Sequence, residues 1–431
     1  MPQRDEEEYE QATSNYPNFP PRLRGSAREK YDLHMKWASS LAVGASLSDA
    51  VARAADEIRA ALGEDPVDLV LVFVSHHHRE AYAQVPDLVQ EHLPARFLAG
   101  CSGGAVLAGG VEEEGRPAVA LAAARLPGVE LGLHHLTCRE LPDEDAPPEV
   151  WRAWVGAPEP ASHFIVLADP FTTVVEPLLT GLDYAYPAST KVGGMASGGR
   201  KSGENALFIQ SQVRDHGMVL LSLRGNVVVD AVVAQGCRPV GQPLTVTRHE
   251  QNVLVEVNHQ PPLRYLGELV ESMSDYDRQL MRTALFLGLQ VDEPEQECTG
   301  HDFLIRNLVG IDYQRGVLAV SAPLTVGQRV QFYLRDKVTS SDDLHLQLNA
   351  RRDQPAPVGA LLFSCLGRGR RLYGEPHYDS RVFHQVLGDL PLAGFFGNGE
   401  IGPVGLATHL HGYTSAFALI RPATPAPGPG N

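Results

Sequence analysis

A chain of 431 residues with 36 Lys and Arg against 52 Asp and Glu, net charge −16, is long for one hydrophobic core and is expected to form two domains. The acidic balance argues against a nucleic acid or an anionic membrane as partner, because both need a positive surface. No apolar run reaches the length of a membrane span and the acidic stretch Asp5-Glu6-Glu7-Glu8 is not a secretory signal, so a cytoplasmic protein is expected.

Residues 1–30 read as a disordered acidic tail, poor in aliphatic side chains. Folded sequence begins near His34–Trp37. Ser46 or Ser48, with Asp49, caps a helix over Ala50–Leu62 that Gly63 ends. Leu69–Val74 is a buried-strand run. A helix follows, and Arg96–Ala99 then leads into Gly100-Cys101-Ser102-Gly103-Gly104. His76-His77-His78 stands at the C-terminal end of that first strand, where ligands sit in open α/β sheets. Neighbouring side chains on an extended chain alternate in direction, so the three cannot converge on one metal. They are expected to form a polar loop beside a pocket, with one histidine toward a ligand.

The same pattern recurs twice. Phe164–Ala168 is a strand run, and Lys191-Val192 leads into Gly193-Gly194-Met195-Ala196-Ser197-Gly198-Gly199. Ala360–Phe363 is another, and Leu392–Phe396 runs into a loop with five glycines from Gly394 to Gly405 and one carboxylate, Glu400. From first strand residue to first loop glycine the separations are 31 (69 to 100), 29 (164 to 193) and 34 (360 to 394). Each copy returns to an apolar strand, at Ala118–Ala124, Met218–Leu223 and Ser415–Ile420. Three copies of strand, helix, strand, glycine loop, strand make an internal repeat at β-α-β spacing.

Between the copies, Pro142–Pro160 reads as a surface connection and Val227–Gly241 as a hairpin edge. Leu254–Pro262 is the expected boundary between halves. Leu266–Leu289 reads as helical, residues 303–335 as antiparallel strands, and Ser340–Ala350 as a helix opened by Ser-Ser-Asp-Asp. Residues 422–431, rich in Pro and Gly, read as a disordered tail. The expected fold is α/β with mixed sheets built from repeated units. Residues 31–257 form the first domain, with two repeats, and residues 258–421 the second.

The five cysteines, Cys101, Cys138, Cys237, Cys298 and Cys365, are widely spaced without C-x-x-C and read as free thiols in a reducing compartment, not as a metal site. Gly100–Gly104 fits G-x-S-x-G, but a nucleophile elbow must feed a helix, and Val106–Gly115 is a poor one. Aligned on Gly100 and Gly194, the second copy also places Ala196 opposite Ser102. Gly397–Gly402 fits G-x-G-x-x-G. Pro403 and Gly405 forbid the helix that a dinucleotide site requires, and no acid follows Glu400, so no cofactor is expected. Cys365 closes a strand beside Arg368, Arg370 and Arg371. It reads either as a small buried residue or as a thiol with lowered pKa. A guanidinium fork beside a glycine loop suits a carboxylate or phosphate. His409, His411 and Tyr413 follow the loop and are too sparse for a metal site.

These residues carry a family resemblance. Asp68–Ser75, Gly100–Gly104, Glu114 and the Leu126-Pro127-Gly128 turn resemble the FIST N-terminal domain. Glu268-Leu269, Leu361–Gly369 with its C-x-G-R-G, Pro391–Gly405 and His411–Ser415 resemble the FIST C-terminal domain. The resemblance covers about residues 37–421. It implies a sensory protein that binds a small molecule, an amino acid or related metabolite, and works with a signalling partner, since the chain has no spare length for an output domain. The expected ligand site takes Cys365, Arg368, Phe396, Asn398, Glu400, His411 and Tyr413, with Arg368 pairing an acid group and Glu400 an amine. Cys101, Ser102 and Gly103 line the matching N-terminal loop. The alternative is an acyl-transfer or hydrolytic enzyme with Cys365 or Ser102 as nucleophile.

Overall fold

The computed structural model describes residues 34–63, 66–143, 145–157, 162–291 and 303–423. The N-terminal tail, residues 424–431 of the C-terminal one, and Cys298 lie outside the described residues. Within them the three sequence repeats are three copies of one α/β unit.

The first unit runs β1 (Lys36–Val43), α1 (Leu47–Leu62), β2 (Val67–Ser75), α2 (Val85–His92), β3 (Ala95–Gly103), β4 (Ala105–Ala108), β5 (Val111–Glu113) and β6 (Ala118–Arg125). Ser46 caps α1 by accepting from the Asp49 N–H, and Gly63 ends it at φ 77°. The second unit is β7 (Val129–Leu136), α3 (Pro148–Val155), β8 (His163–Ala168), α4 (Val175–Ala185), β9 (Lys191–Met195), β10 (Leu207–Ile209), β11 (Gln212–Arg214) and β12 (Met218–Gly225). The connection expected over Pro142–Pro160 thus holds a helix, α3, whose Trp151 is buried against α4.

After β13 (Val228–Ala234) the chain makes a six-stranded closed barrel. It comprises β14 (Arg238–Glu250), β15 (Val253–Val257), helices α5 (Pro262–Ser272) and α6 (Asp275–Met281), then β16 (Leu285–Gln290), β17 (Phe303–Asp312), β18 (Val317–Val320) and β19 (Arg329–Leu334). The helical reading of Leu266–Leu289 therefore overran. Its last residues alternate into the barrel core as β16, pairing with β17 and β19. The third unit is α7 (Lys337–Asn349), β20 (Gly359–Cys365), α8 (Gly369–Tyr373), α9 (Tyr378–Leu387), β21 (Leu392–Gly397), β22 (Glu400–Val404), β23 (Ala407–His411) and β24 (Ser415–Arg421). Helix α7 starts three residues before the expected Ser340, because the Asp336 carboxylate takes the Thr339 N–H and caps it.

The sheets exchange strands in a ring. Their orders are β1-β6-β2-β3-β10-β11, β7-β12-β8-β9-β22-β23 and β13-β24-β20-β21-β4-β5. Each unit keeps its parallel pair and its returning strand, and gives its hairpin to another sheet. The first unit's β4-β5 joins β21, the second's β10-β11 joins β3, and the third's β22-β23 joins β9. Strands from both sides of Val257 share the second and third sheets.

The parallel pairs explain the glycines. The expected loops are strands: Gly100 lies in β3, Gly193 in β9 and Gly394 in β21. These three sit opposite Val72, Val166 and Leu362 in the parallel pairs, and a Cβ at any of them would overlap the facing carbonyl oxygen. Gly193, not Gly194, is therefore the counterpart of Gly100, and Met195, not Ala196, the counterpart of Ser102. Between the sheets lies an apolar core in which Phe73 and Phe363 pack on Phe395. Among the described residues no helix is long and apolar enough to cross a membrane.

Candidate functional site

Three equivalent strand ends allow one to be read against the others. Counting from the glycine register, Leu207 on β10, Glu400 on β22 and Val106 on β4 occupy the same place on their host strands. Leu207 and Val106 are fully buried apolar residues, as a core position between sheets demands. Glu400 is fully buried too, and is a carboxylic acid. The same comparison places Val74 opposite Val119 in the first unit, Ala168 opposite Met218 in the second, and Ser364 opposite Ser415 in the third. The third unit has thus replaced apolar core by hydroxyls and a carboxyl at the C-terminal end of its parallel strands.

A buried polar group costs free energy unless it is satisfied. Most of this cluster is. Arg368 and Asp379 are both fully buried and form a two-pronged pair, with Nε to Oδ2 at 2.9 Å and Nη2 to Oδ1 at 3.1 Å. Burial alone would raise the Asp379 carboxyl, but the guanidinium outweighs it and holds the group below its ordinary value. Ser364 and Ser415 both donate to Asp379 Oδ2, and Arg368 also donates to the Tyr373 hydroxyl. On the far side Ser380 donates its N–H and hydroxyl to Oε1 of Glu112, which the first unit's hairpin brings in. Burial, and then the field of Asp379, push the Glu112 carboxyl up to about 7.

Glu400, like Glu112 at its Oε2, keeps one buried oxygen without a hydrogen bond. Its Oε2 accepts the Thr414 N–H at 3.1 Å, while its buried Oε1 has no hydrogen bond. Burial pushes the carboxyl well above its ordinary range. Cys365 faces it. Burial, then Glu400, push that thiol up to about 12, away from the thiolate that a nucleophile requires. Ser102 donates to Ser197 O and accepts the Ala206 N–H, and β3 feeds a strand, not a helix. No histidine is a hydrogen-bond partner of Cys365 or Ser102 among the described residues.

Of the residues expected at the site, Cys365, Arg368, Glu400 and Tyr413 come together here. Arg368 is not an open clamp, because Asp379 already occupies its fork. Asn398 is exposed at the β21–β22 turn, with its N–H on Met195 O, and Phe396 is buried in the third unit's core. His411 pairs with Glu400 across the strands, but its Nε2 meets Gly402 O, and burial drives its pKa down to about 3, so it stays neutral. Cys101 is core, Ser102 donates to Ser197 O of the second unit, and Gly103 packs against Phe395 of the third. His76 bonds Gly104 O through Nδ1, and the three histidines open a 3-10 helix instead of a loop.

Sequence reasoning missed Arg335. It follows β19 of the barrel, and its guanidinium lies 3.9 Å from the centre of the Tyr413 ring. Tyr413 itself takes the left-handed φ of 64° that turns its carbonyl oxygen toward both Arg335 and Arg368. Beside this cluster a cavity of about 630 Å³ opens between α7 and the barrel, lined by Cys237, Ile305, Tyr333, Asp343 and the β22 tip at Pro403–Gly405. Burial pushes the Cys237 thiol up to about 12 against the lowering field of Arg335.

One of three related units thus carries a pre-formed polar centre. Residues 68–260 match the FIST N domain and residues 262–403 the FIST C domain, so the chain belongs to the FIST family, whose domains are associated with sensory ligand binding. It is 35% identical over 394 residues to an uncharacterized protein of Mycobacterium tuberculosis, covering 88% of this chain and 99% of that one. An uncharacterized Mycobacterium bovis protein is 34% identical over 381 residues, covering 86% and 95%. F-box only protein 22 of Pongo abelii is 26% identical over 176 residues, covering 36% and 41%.

Proposed function

We propose that this protein senses a small polar metabolite, an amino acid or a related compound, in the cytoplasm, and relays its occupancy to a separate signalling protein. The reading rests on one observation above the others. Glu400 stands where both related units carry an apolar core residue, and one of its buried oxygens is left without a hydrogen bond. Evolution of a core removes such a group unless it is used, since an unsatisfied buried acceptor costs about 1–3 kcal/mol. A cavity of about 630 Å³, lined by Cys237, Tyr333 and the far end of the Glu400 strand at Pro403–Gly405, is of the size that small ligands fill.

Thermal shift against amino acids, organic acids and nucleotides tests this, because a ligand that binds only the folded state raises Tm by mass action. The expected result is a concentration-dependent rise in the wild-type protein that Glu400→Leu abolishes. A panel that moves neither protein, or moves both alike, refutes the assignment.

A further inference from the structure

Resting on the reading that a small polar compound fills the 630 Å³ cavity, we propose that this compound is a short peptide, laid antiparallel to β13 as an added strand. Three features of the cavity carry this.

The first is its floor. β13 is the outermost strand of the third sheet and pairs only with β24. On β24 the Ile420 carbonyl turns to the β20 side, where it accepts the Val358 N–H, so Leu419, Phe417 and Ser415 turn their backbone groups to β13. Their partners Asp230, Val232 and Ala234 complete that ladder. Ala231 and Val233 therefore point their N–H and C=O groups out of the sheet, and both residues line the cavity. The Ala231 carbonyl oxygen accepts from Arg351 Nη2 at 2.9 Å, as that orientation requires. The Ala231 N–H and both groups of Val233 have no partner among the described residues. A row of alternating donors and acceptors matches the main chain of an extended peptide. A lone amino acid has no amide with which to complete it.

The second feature is the charge at the two ends. α7 walls the cavity with Asp342 near its start and Arg351 just past its end. Asp343 bonds the Gly236 N–H and Arg351 bonds Ala231, so α7 runs antiparallel to β13. The Asp342 carboxylate is exposed and has no ion pair among the described residues, while Arg238, a cation of the same lining, is taken by Asp277. Arg351 reaches Asp230 only at 3.9 Å, and Arg421 holds Asp230 more closely, at 2.7 Å. An ammonium at Asp342 and a carboxylate at Arg351 are the two ends of a peptide, and their order sets its direction against that of β13. From 342 to 351 the helical rise is about 13 Å. Three extended residues span about 10 Å, and the two side chains reach across the rest.

The third feature is the pair of walls. Val232 and Ala234 turn their side chains to α7, and Val233 turns its own to β22 at Gly402, so helix and strand flank opposite faces of β13. Side chains of the added strand alternate in the same way, toward Leu346 and Ala350 on one side and Pro403 and Val404 on the other. Both walls are apolar and select small apolar side chains. Walled on both sides, the edge admits one short chain and not the sheet edge of a second molecule.

The test uses the full-length protein with Ala-Ala-Ala and Val-Val-Val, compared with alanine, valine, N-acetyl-Ala-Ala-Ala and Ala-Ala-Ala amide, and reads binding by titration calorimetry. The free tripeptides are expected to bind at least about tenfold more tightly than the single amino acids, the worth of two further hydrogen bonds. Blocking either end should cost about threefold or more. Asp342→Asn should weaken Ala-Ala-Ala about threefold and leave N-acetyl-Ala-Ala-Ala unchanged, a split that loss of folding would not produce. Ala231→Pro removes an N–H that the β24 ladder does not use, so the sheet is kept, and should weaken every peptide about fivefold. Single amino acids that bind as tightly as the tripeptides, or tripeptide affinity unchanged in both variants, overturns the proposal and leaves the sensory reading standing. Tripeptides that do not bind while another compound of the wider panel does have the same meaning. No binding by any compound overturns both.

Discussion

Glu112→Gln isolates the contact between the two halves of the chain at which proton binding should govern stability. The Glu112 carboxyl is buried against Ser380 and close to Asp379, and is raised from 4.5 to about 7. An acid whose folded pKa is raised binds its proton more tightly in the folded state. Its contribution is fully present below about pH 4.5 and is lost as pH climbs through about 7. A rise of roughly two and a half pKa units corresponds to about 3 kcal/mol. Gln cannot ionise, and its carbonyl oxygen still accepts from the Ser380 N–H and hydroxyl. The variant should therefore match the wild type near pH 4.5 and exceed it by about 3 kcal/mol at pH 8, or about 4 °C in Tm for a chain of this size. Differential scanning calorimetry at half-unit pH steps reads this directly. Parallel Tm-against-pH curves for the two proteins would refute the claim that Glu112 is buried in the field of Asp379.

Two further outcomes follow from the strand exchange and its polar exception. Gly193→Ala drives a methyl into the Val166 carbonyl, so urea denaturation should show a loss of about 1–3 kcal/mol or more, whereas Gly267→Ala, on open α5, should cost nothing. Glu400→Leu restores the apolar residue of the other two units and should gain about 1–3 kcal/mol in the same assay, in exchange for the binding site; a destabilised Leu variant would show that the carboxyl is structural.

The sequence revealed the repeat more fully than the site. Strand runs and their spacing marked all three units, because buried parallel strands are short continuous apolar runs. The glycines were visible, and their purpose was not. A strand glycine facing a carbonyl and a loop glycine look alike until the pairing partner is known, and here the partner lies about 28 residues back along the chain, across a helix. Leu285–Gln290 read as the end of a helix, since an apolar run that follows helical residues carries no mark of the change. At the site, Cys365, Arg368 and Glu400 were legible from their motifs, but the partner that closes Arg368 was not. Asp379 sits eleven residues on in α9, and Glu112 comes from a hairpin more than 250 residues earlier. Arg335 carries no local pattern at all; only closure of the barrel brings it over Tyr413.

The ring of exchanged hairpins also governs how such a chain can be made. During synthesis the first two units emerge with two of the three sheets unfinished. β9 lacks β22, while β4 and β13 wait for β21 and β24. Exposed strand edges recruit other chains, so a product cut short after Val257 is a template for aggregation instead of a smaller working protein. The last strand, β24, pairs with both β13 and β20 in the third sheet. Arrival of β24 is therefore the event that closes the third sheet.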